Sequence, residues 1–424
     1  MKPLQSTEIP SGAAETTAWR GDAHSGVSER KTGSLDNHTN KGTPPRLKAD
    51  LETGEILPDF DPTMKWQLQA IARLALGVFD SDIKYEDAHR IKVCMRHHAV
   101  KYVRQPSGKM KKIAYREVEV RQSRESLKTY YAKLMACGLV WCCPVCAPKI
   151  QHIRAQEVRQ AIDYWTELGG SVVMPTHTAQ HTRADKLSPL LEAFTKALKN
   201  SKKGKGYKLR KDRHGICHSI RALEVTHGSN GWHPHAHTIM FLDRTVCLDE
   251  LASDLFPLWE SAVRRAGLRD ISRKAFKVVD ASKVKSYITK MGNEYQWNAE
   301  HELVKAHSKS GKGASSSPFD FLRANLETSN PAALGRFAEF ATCFKGKRQL
   351  VWSNGAKKAL LGTEGATDQQ IADSIGELDP VLARITAEDW KIIRKYNQQG
   401  NVLQLAQQFG EQGIKHLISQ FRKD

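Results

Sequence analysis

The segment Gly231-Trp232-His233-Pro234-His235-Ala236-His237 sets three histidines at alternate positions. In an extended strand alternate side chains share a face, so this spacing gathers three imidazoles on one side of a sheet. Neutral imidazole is the commonest metal ligand. The bland alternative is a wet strand edge with scattered histidines, and the rest of the chain decides between the two.

Residues His218 to Thr226 read as a second strand, and His227-Gly228-Ser229-Asn230-Gly231 reads as the turn of a hairpin. A hairpin symmetric about that loop sets Glu224 opposite His235 and Ala222 opposite His237. Directly opposed side chains are ~5 Å apart at Cβ, so a carboxylate and an imidazole can share one ion. A slip of one residue would turn Glu224 away and leave it a surface salt-bridging carboxylate. Two histidines and a carboxylate with open positions suit a catalytic metal better than a structural one. On a phosphodiester substrate Mg²⁺ or Mn²⁺ would polarise a non-bridging oxygen; zinc stays open.

The 424-residue chain has 65 Lys and Arg against 46 Asp and Glu, a formal charge of +19. That excess implies a polyanionic partner, and nucleic acid leads. An anionic membrane is the competitor, but no basic amphipathic helix is seen, nor an apolar run near the ~20 residues a spanning helix requires. Met1-Lys2-Pro3-Leu4-Gln5-Ser6 lacks the apolar stretch of a signal peptide. The expected location is cytoplasmic. A basic run from Lys202 to Arg213 is by default a solvated loop, and its Lys202, Lys203, Lys205, Lys208, Arg210 and Lys211 are candidates for contact with DNA phosphates. Five of the eight cysteines fall between Cys94 and Cys146, which favours metal over disulfides.

Composition and periodicity divide the chain into a disordered tail (1–62), a helical segment whose cysteines are expected to bind zinc (63–168), a domain of strands and helices around the histidines (169–355) and a helical C-terminal region (365–424). Helices are expected from Trp66, over 150–168 up to Gly169-Gly170, after Ser188-Pro189, and over 248–266 with an interruption or restart at Pro257. Strands are expected over 171–181 and 276–279. Phe319 to Trp352 reads as helical, and a last helical stretch starts at the capping box Thr386-Ala387-Glu388-Asp389. Strands interleaved with helices indicate an α/β or α+β domain.

Taken together, Trp232 to His237, preceded by Glu224-Val225-Thr226 and followed by Tyr287-Ile288-Thr289-Lys290, resembles the plasmid rolling-circle replication initiators of the HUH endonuclease superfamily. His235 and His237 fill the pair that names the superfamily, around an Ala236 smaller than usual. Thr176-His177-Thr178-Ala179-Gln180-His181 is similar to the family's first motif, although Pro175 is an odd strand residue. The stretch Cys137 to Cys146 looks like the segment that precedes the nuclease. Ser317-Pro318-Phe319-Asp320 and Lys345 to Ser353 also resemble family text. The resemblance spans roughly residues 90 to 355.

The resemblance implies an HUH-type nuclease domain over 169–355, an α+β fold whose central antiparallel sheet carries the histidine pair between flanking helices, and a tyrosine that attacks single-stranded DNA, forming a 5′-phosphotyrosine and freeing a 3′-hydroxyl for a polymerase. Tyr287 matches that nucleophile. Its phenol, with an ordinary pKa of ~10, needs help in losing its proton, and Lys290 shares its helical face. Tyr295 is the rival nucleophile. Where some members place a glutamate four residues before the tyrosine this chain has Lys283, so the terminating step is open between Asp280, another carboxylate and a second tyrosine. Cys143-x-x-Cys146 with Cys137 and Cys94 would hold a structural Zn²⁺; Cys142 competes, and His97 or His98 could replace Cys94. Implied partners are single- and double-stranded origin DNA, with a host helicase and DNA polymerase. A transposase of the same superfamily is the alternative, which the Lys345 to Ser353 text disfavours. A non-enzymatic zinc-dependent DNA-binding regulator is the second alternative.

Overall fold

The hairpin forms with a two-residue turn, and its two strands, Ile216–Gly228 and Gly231–Leu242, pair antiparallel from Gly228↔Gly231 outward. The register sets Glu224 opposite His235 and Ala222 opposite His237. A computed structural model describes residues 47–49, 56–58, 64–77, 89–124, 127–280, 316–376 and 378–422, within a unit that begins at Arg46.

The hairpin is the centre of a five-stranded sheet. Its order is Phe276–Val279, Ser171–Thr178, Gly231–Leu242, Ile216–Gly228 and Leu350–Trp352, and every neighbouring pair is antiparallel. Pro175 sits inside the second strand, where the pairing to the histidine strand skips Met174 and Pro175; proline has no N–H to give.

Each face of the sheet has its own core. Val172, Met174, Ile220, Ala222, Ile239 and Phe241 lie under the long helix Cys146–Glu167, which contributes Ala155, Val158, Ala161 and Ile162. On the opposite face Val173, Leu223, Val225, Ala236 and Met240 join Phe194 of helix Leu187–Asn200, Trp259 of helix Leu248–Arg265 and Phe337 of helix Pro331–Phe344. A third core joins two segments far apart in sequence: strands Glu117–Gln122 and Thr129–Ala132 with strand Val381–Thr386 and helices Ala387–Lys395 and Gln399–Phe421.

Several elements differ from the sequence reading. The basic run is not a loop: Gly204–Arg213 is a helix, in which the good helix formers Lys205, Lys208, Leu209, Arg210, Lys211 and Arg213 outweigh Gly204 and Gly206. Pro257 neither interrupts nor restarts its helix, which is continuous over Leu248–Arg265. Residues 319–352 break into helices Pro318–Thr328 and Pro331–Phe344 and a strand, Leu350–Trp352. Asn330 before Pro331 forces the break, its side chain accepting from the N–H groups of Ala332 and Ala333. The C-terminal region is not purely helical, because Val381–Thr386 is a strand whose alternate residues Ala383 and Ile385 are buried. The segment expected to be helical and zinc-binding also holds four strands between Val100 and Ala132. Within the expected tail, Leu47–Ala49 and Ile56–Pro58 pair as antiparallel strands.

Candidate metal centres

The face of the sheet under the long helix is divided along its length. One half is apolar and covered. The other half carries Thr176, Thr178, Glu224, Thr226, His233, His235 and His237, which strand alternation places on the same side as Val172, Ala222 and Ile239.

Glu224, His235 and His237 bring one ligand atom each to within 4.8 Å of one another. Nε2 of His235 is 2.9 Å and Nε2 of His237 is 3.7 Å from the same Oε2 of Glu224. The other ring nitrogens are held by oxygen: Nδ1 of His235 lies 3.3 Å from the His233 carbonyl, and Nδ1 of His237 lies 2.9 Å from Oγ1 of Thr176. A proton on Nδ1 leaves Nε2 with its lone pair directed at the carboxylate, the arrangement a metal-ligating imidazole adopts. Burial pulls the pKa of His237 down against the pull of Glu224, which favours the neutral ring that a metal ligand requires. All three residues are half-buried, so the donors are held rigidly while ligand positions facing outward stay reachable.

His233 stands beside this group. Its ring is 5.4 Å from that of His235 and 4.7 Å from that of His181, centre to centre. Burial, then the neighbouring His235 and His181, lower its pKa to about 4. The loop carrying His181 is pressed against the start of the hairpin. A Cβ on Gly231, whose φ is +84°, would lie 3.0 Å from backbone atoms of Thr182 and Arg183, so only glycine fits there. His177 points the other way and is buried edge-on against Trp259 and Phe276; burial, reinforced by Lys202, lowers its pKa to about 3. Of the threonine-rich segment, then, Thr176, Thr178 and His181 face the group and His177 does not.

The second cluster is made of thiols. Cys94, Cys137, Cys143 and Cys146 are all buried, with sulfurs within 4.8 Å of one another. Sγ of Cys94 is 3.4 Å from Cys146 and 3.6 Å from Cys143, and Cys137 is 3.7 Å from Cys146. Disulfides need ~2.05 Å, whereas sulfurs ~2.3 Å from a central tetrahedral ion sit ~3.8 Å apart. The donor set therefore fits zinc. Cys146 is the first residue of the long helix, so the cluster sits at the start of that helix. Burial pushes the Cys143 thiol up, but hydrogen bonds from Cys137, Cys146, Cys94 and Gln69 outweigh it and hold it well below the usual thiol range. The Gln69 amide, 3.5 Å from that sulfur, gave no signal in the sequence. Cys142 is outside the group, its thiol pushed up by burial and by the charges of Cys143 and Cys146. His98 instead bridges Leu134 through its backbone.

The basic helix Gly204–Arg213 is not brought to the histidine group. It packs against helix Leu248–Arg265, on the opposite face of the sheet. Lys203, Lys205 and Lys208 are exposed, and Arg210 and Lys211 half-buried. Lys202 departs from the rest: its ammonium tucks behind the sheet, 3.3 Å from Oγ of Ser219, beside a cavity shared with His177 and Tyr207. Burial, then Arg221, lowers its pKa to about 8, so Lys202 is not a surface contact for phosphate. Lys283, Tyr287, Lys290 and Tyr295 lie outside the described residues. Among the described residues no helix is long and apolar enough to cross a membrane.

Over 335 residues, 62% of its length, the chain is 27% identical to a Streptomyces lividans protein named "Protein rep", of which the alignment covers 73%. Over 175 residues, 33% of its length, it is 30% identical to a Streptomyces cyanogenus protein named "Neomycin resistance protein", of which it spans 40%. No family model and no solved structure matches.

Proposed function

We propose that this chain is a metal-dependent, site-specific DNA nicking and joining enzyme of the HUH type that opens a plasmid origin for rolling-circle replication. The observation that carries the reading is the convergence of Glu224, His235 and His237 on one point of the polar half-face. The similarity to "Protein rep" supports the biological setting. Nε2 of His235, Nε2 of His237 and a carboxylate oxygen of Glu224 would hold Mg²⁺ or Mn²⁺. When bound, that ion supplies polarisation of a phosphate oxygen. Thr176 and the His233 carbonyl orient the two rings, and His233 stands ready as a further contact. Tyr287 is the nucleophile of this reading and Lys290 its assistant: the phenolate oxygen bonds to phosphorus as the 3′-oxygen leaves, giving a 5′-phosphotyrosine and a 3′-hydroxyl. The four-thiolate cluster holds structural zinc. Lys203, Lys205, Lys208, Arg210 and Lys211 contact DNA phosphates away from the cut, and a host helicase and polymerase take over at the freed end.

The test is a nicking assay on single-stranded oligonucleotides tiling the encoding replicon, with Mg²⁺ or Mn²⁺, resolved on denaturing gels. The wild type gives a covalent protein–DNA adduct; Tyr287→Phe and the double variant His235→Ala, His237→Ala give none. Sequence-selective binding with no adduct on any strand would replace the enzyme with a non-enzymatic regulator. A full adduct in Tyr287→Phe would move the nucleophile elsewhere.

A further inference from the structure

Between the first and second zinc-cluster cysteines the chain throws out a two-stranded ribbon, Val100–Arg104 paired with Met110–Ala114. Every residue of the ribbon except Val100 is exposed, on both faces of both strands. A hairpin without a third strand or a covering helix has little stability of its own. This one is held at its base instead. The N–H of Ala99 donates to the Lys133 carbonyl at 2.8 Å and that of Tyr115 to the Ala99 carbonyl at 2.9 Å. The ammonium groups of Lys101 and Lys133 lie 5.6 and 5.3 Å from the Tyr115 ring centre.

Its composition is one-sided. Residues 100–114 contain Lys101, Arg104, Lys109, Lys111 and Lys112 and no carboxylate. The register places Lys101, Val103, Lys111 and Ile113 on one face and Tyr102, Arg104, Met110 and Lys112 on the other, with Lys109 in the loop. Cations on both faces of one narrow arm repel one another within a Debye length of ~8 Å. Beside them Tyr102 is 62% and Met110 58% exposed, apolar surface that nothing among the described residues covers. A partner that receives these cations between two rows of negative charge while offering apolar contact at its floor removes both penalties.

We propose that this ribbon is a duplex-DNA-binding arm that enters the major groove. Two strands ~4.8 Å apart with side chains on both faces match a groove ~12 Å wide, which admits a two-stranded ribbon. Five residues at ~3.3 Å each reach about half a helical turn. The Tyr102–Met110 face lies toward the groove floor, where those two side chains meet thymine methyl groups, and the long side chains of Arg104 and Lys112 on that face and of Lys101, Lys109 and Lys111 elsewhere on the arm reach the phosphate rows on either wall. The arm extends the DNA reading given above, and it is tested by binding alone, so failure of the nicking assignment leaves it standing.

The experiment compares the full-length wild type with a variant carrying Lys101→Gln, Arg104→Gln, Lys109→Gln, Lys111→Gln and Lys112→Gln. Fluorescence anisotropy follows a labelled 25-base-pair DNA duplex across a salt series. A second variant changes only the four lysines to arginine, and thermal melts report folding of all three proteins. Each phosphate contact contributes about 0.9 to the slope of log K against log salt. The glutamine variant is expected to lose roughly three to four units of slope and at least tenfold in duplex affinity. The arginine variant keeps both, and affinity for an unstructured single strand changes less than twofold. Unchanged duplex affinity and slope in the glutamine variant overturn the proposal. Equal loss on duplex and single strand overturns it too. So does a preference for duplex RNA, whose deep major groove excludes the arm, and so does arm-dependent binding to phosphatidylserine vesicles with duplex binding intact.

Discussion

Thr176 is the smallest part of the histidine centre that can be altered without touching a ligand. Its Oγ1 holds Nδ1 of His237, and the Thr176→Val change keeps shape and strand preference while deleting that oxygen. Outer partners of metal-bound histidine typically contribute 10–100-fold in affinity. Calorimetric titration with Mn²⁺ should therefore show Thr176→Val weakened by about that factor, with an unchanged thermal melt; wild-type affinity in the variant would mean that His237 is not a ligand. The next residue makes a different prediction from the opposite face. The His177 pKa of about 3 lies below the ~6.5 of an unfolded histidine, so the unfolded chain takes up the proton first. Stability from this residue is intact above pH ~6.5 and falls by about 1.36 kcal/mol per unit as pH drops toward the folded value. His177→Phe keeps a ring against Trp259 and Phe276 and removes that dependence. In chelator-containing buffer its melting temperature should fall less between pH 7 and pH 5 than that of the wild type, and an equal fall would show that His177 is not the buried neutral group described.

Among elements, the three-stranded sheet of Glu117–Gln122, Thr129–Ala132 and Val381–Thr386 shows what pattern reading reaches and what it misses. Glu119 is buried there, its carboxylate 2.7 Å from Lys133 and 2.8 Å from Arg121, with Arg384 of the distant strand at 3.7 Å. Removing the charge strands the partly buried cations, so Glu119→Leu should lower stability by roughly 1–3 kcal/mol in denaturant titration; a neutral effect would mean that water already serves those cations. The pairing itself was not legible, because strands of six residues joined across more than 250 positions leave no local trace. The histidine hairpin was legible for the opposite reason. Its turn, its alternation and its opposed Glu224 are all local, and so is the long helix, whose apolar spacing and terminal glycines mark it. The basic run reads as a solvated loop because its charge density dominates the pattern, although lysine, arginine and leucine also favour a helix. The ribbon was missed although alternating segments flank Gln105-Pro106-Ser107-Gly108, a turn signal in plain sight.

At the scale of the whole molecule the thiol cluster is the joint on which the parts hang. Cys94 follows the turn Arg90–Lys92, Cys137 follows the strand Thr129–Ala132, and Cys143 and Cys146 open the helix that covers the central sheet. The backbone between Cys94 and Cys137 includes the ribbon, and residues 95–99 and 133–135 clasp each other at its base. One ion bound at the cluster would thus fix the ribbon, the third core and the start of the long helix relative to one another. Purified protein should carry about one tightly held zinc by elemental analysis. Cys137→Ser should lose it and melt at a lower temperature, and duplex binding should fall with it, because the base of the ribbon is no longer pinned. Cys142→Ser is the control: that thiol is as buried as the others but lies outside the cluster, so the variant should retain zinc, melting temperature and duplex affinity. If both serine variants lost zinc alike, the ligand set would be other than the four sulfurs. If neither did, the cluster would be a packed set of reduced thiols, and the ribbon would owe its base to hydrogen bonds alone.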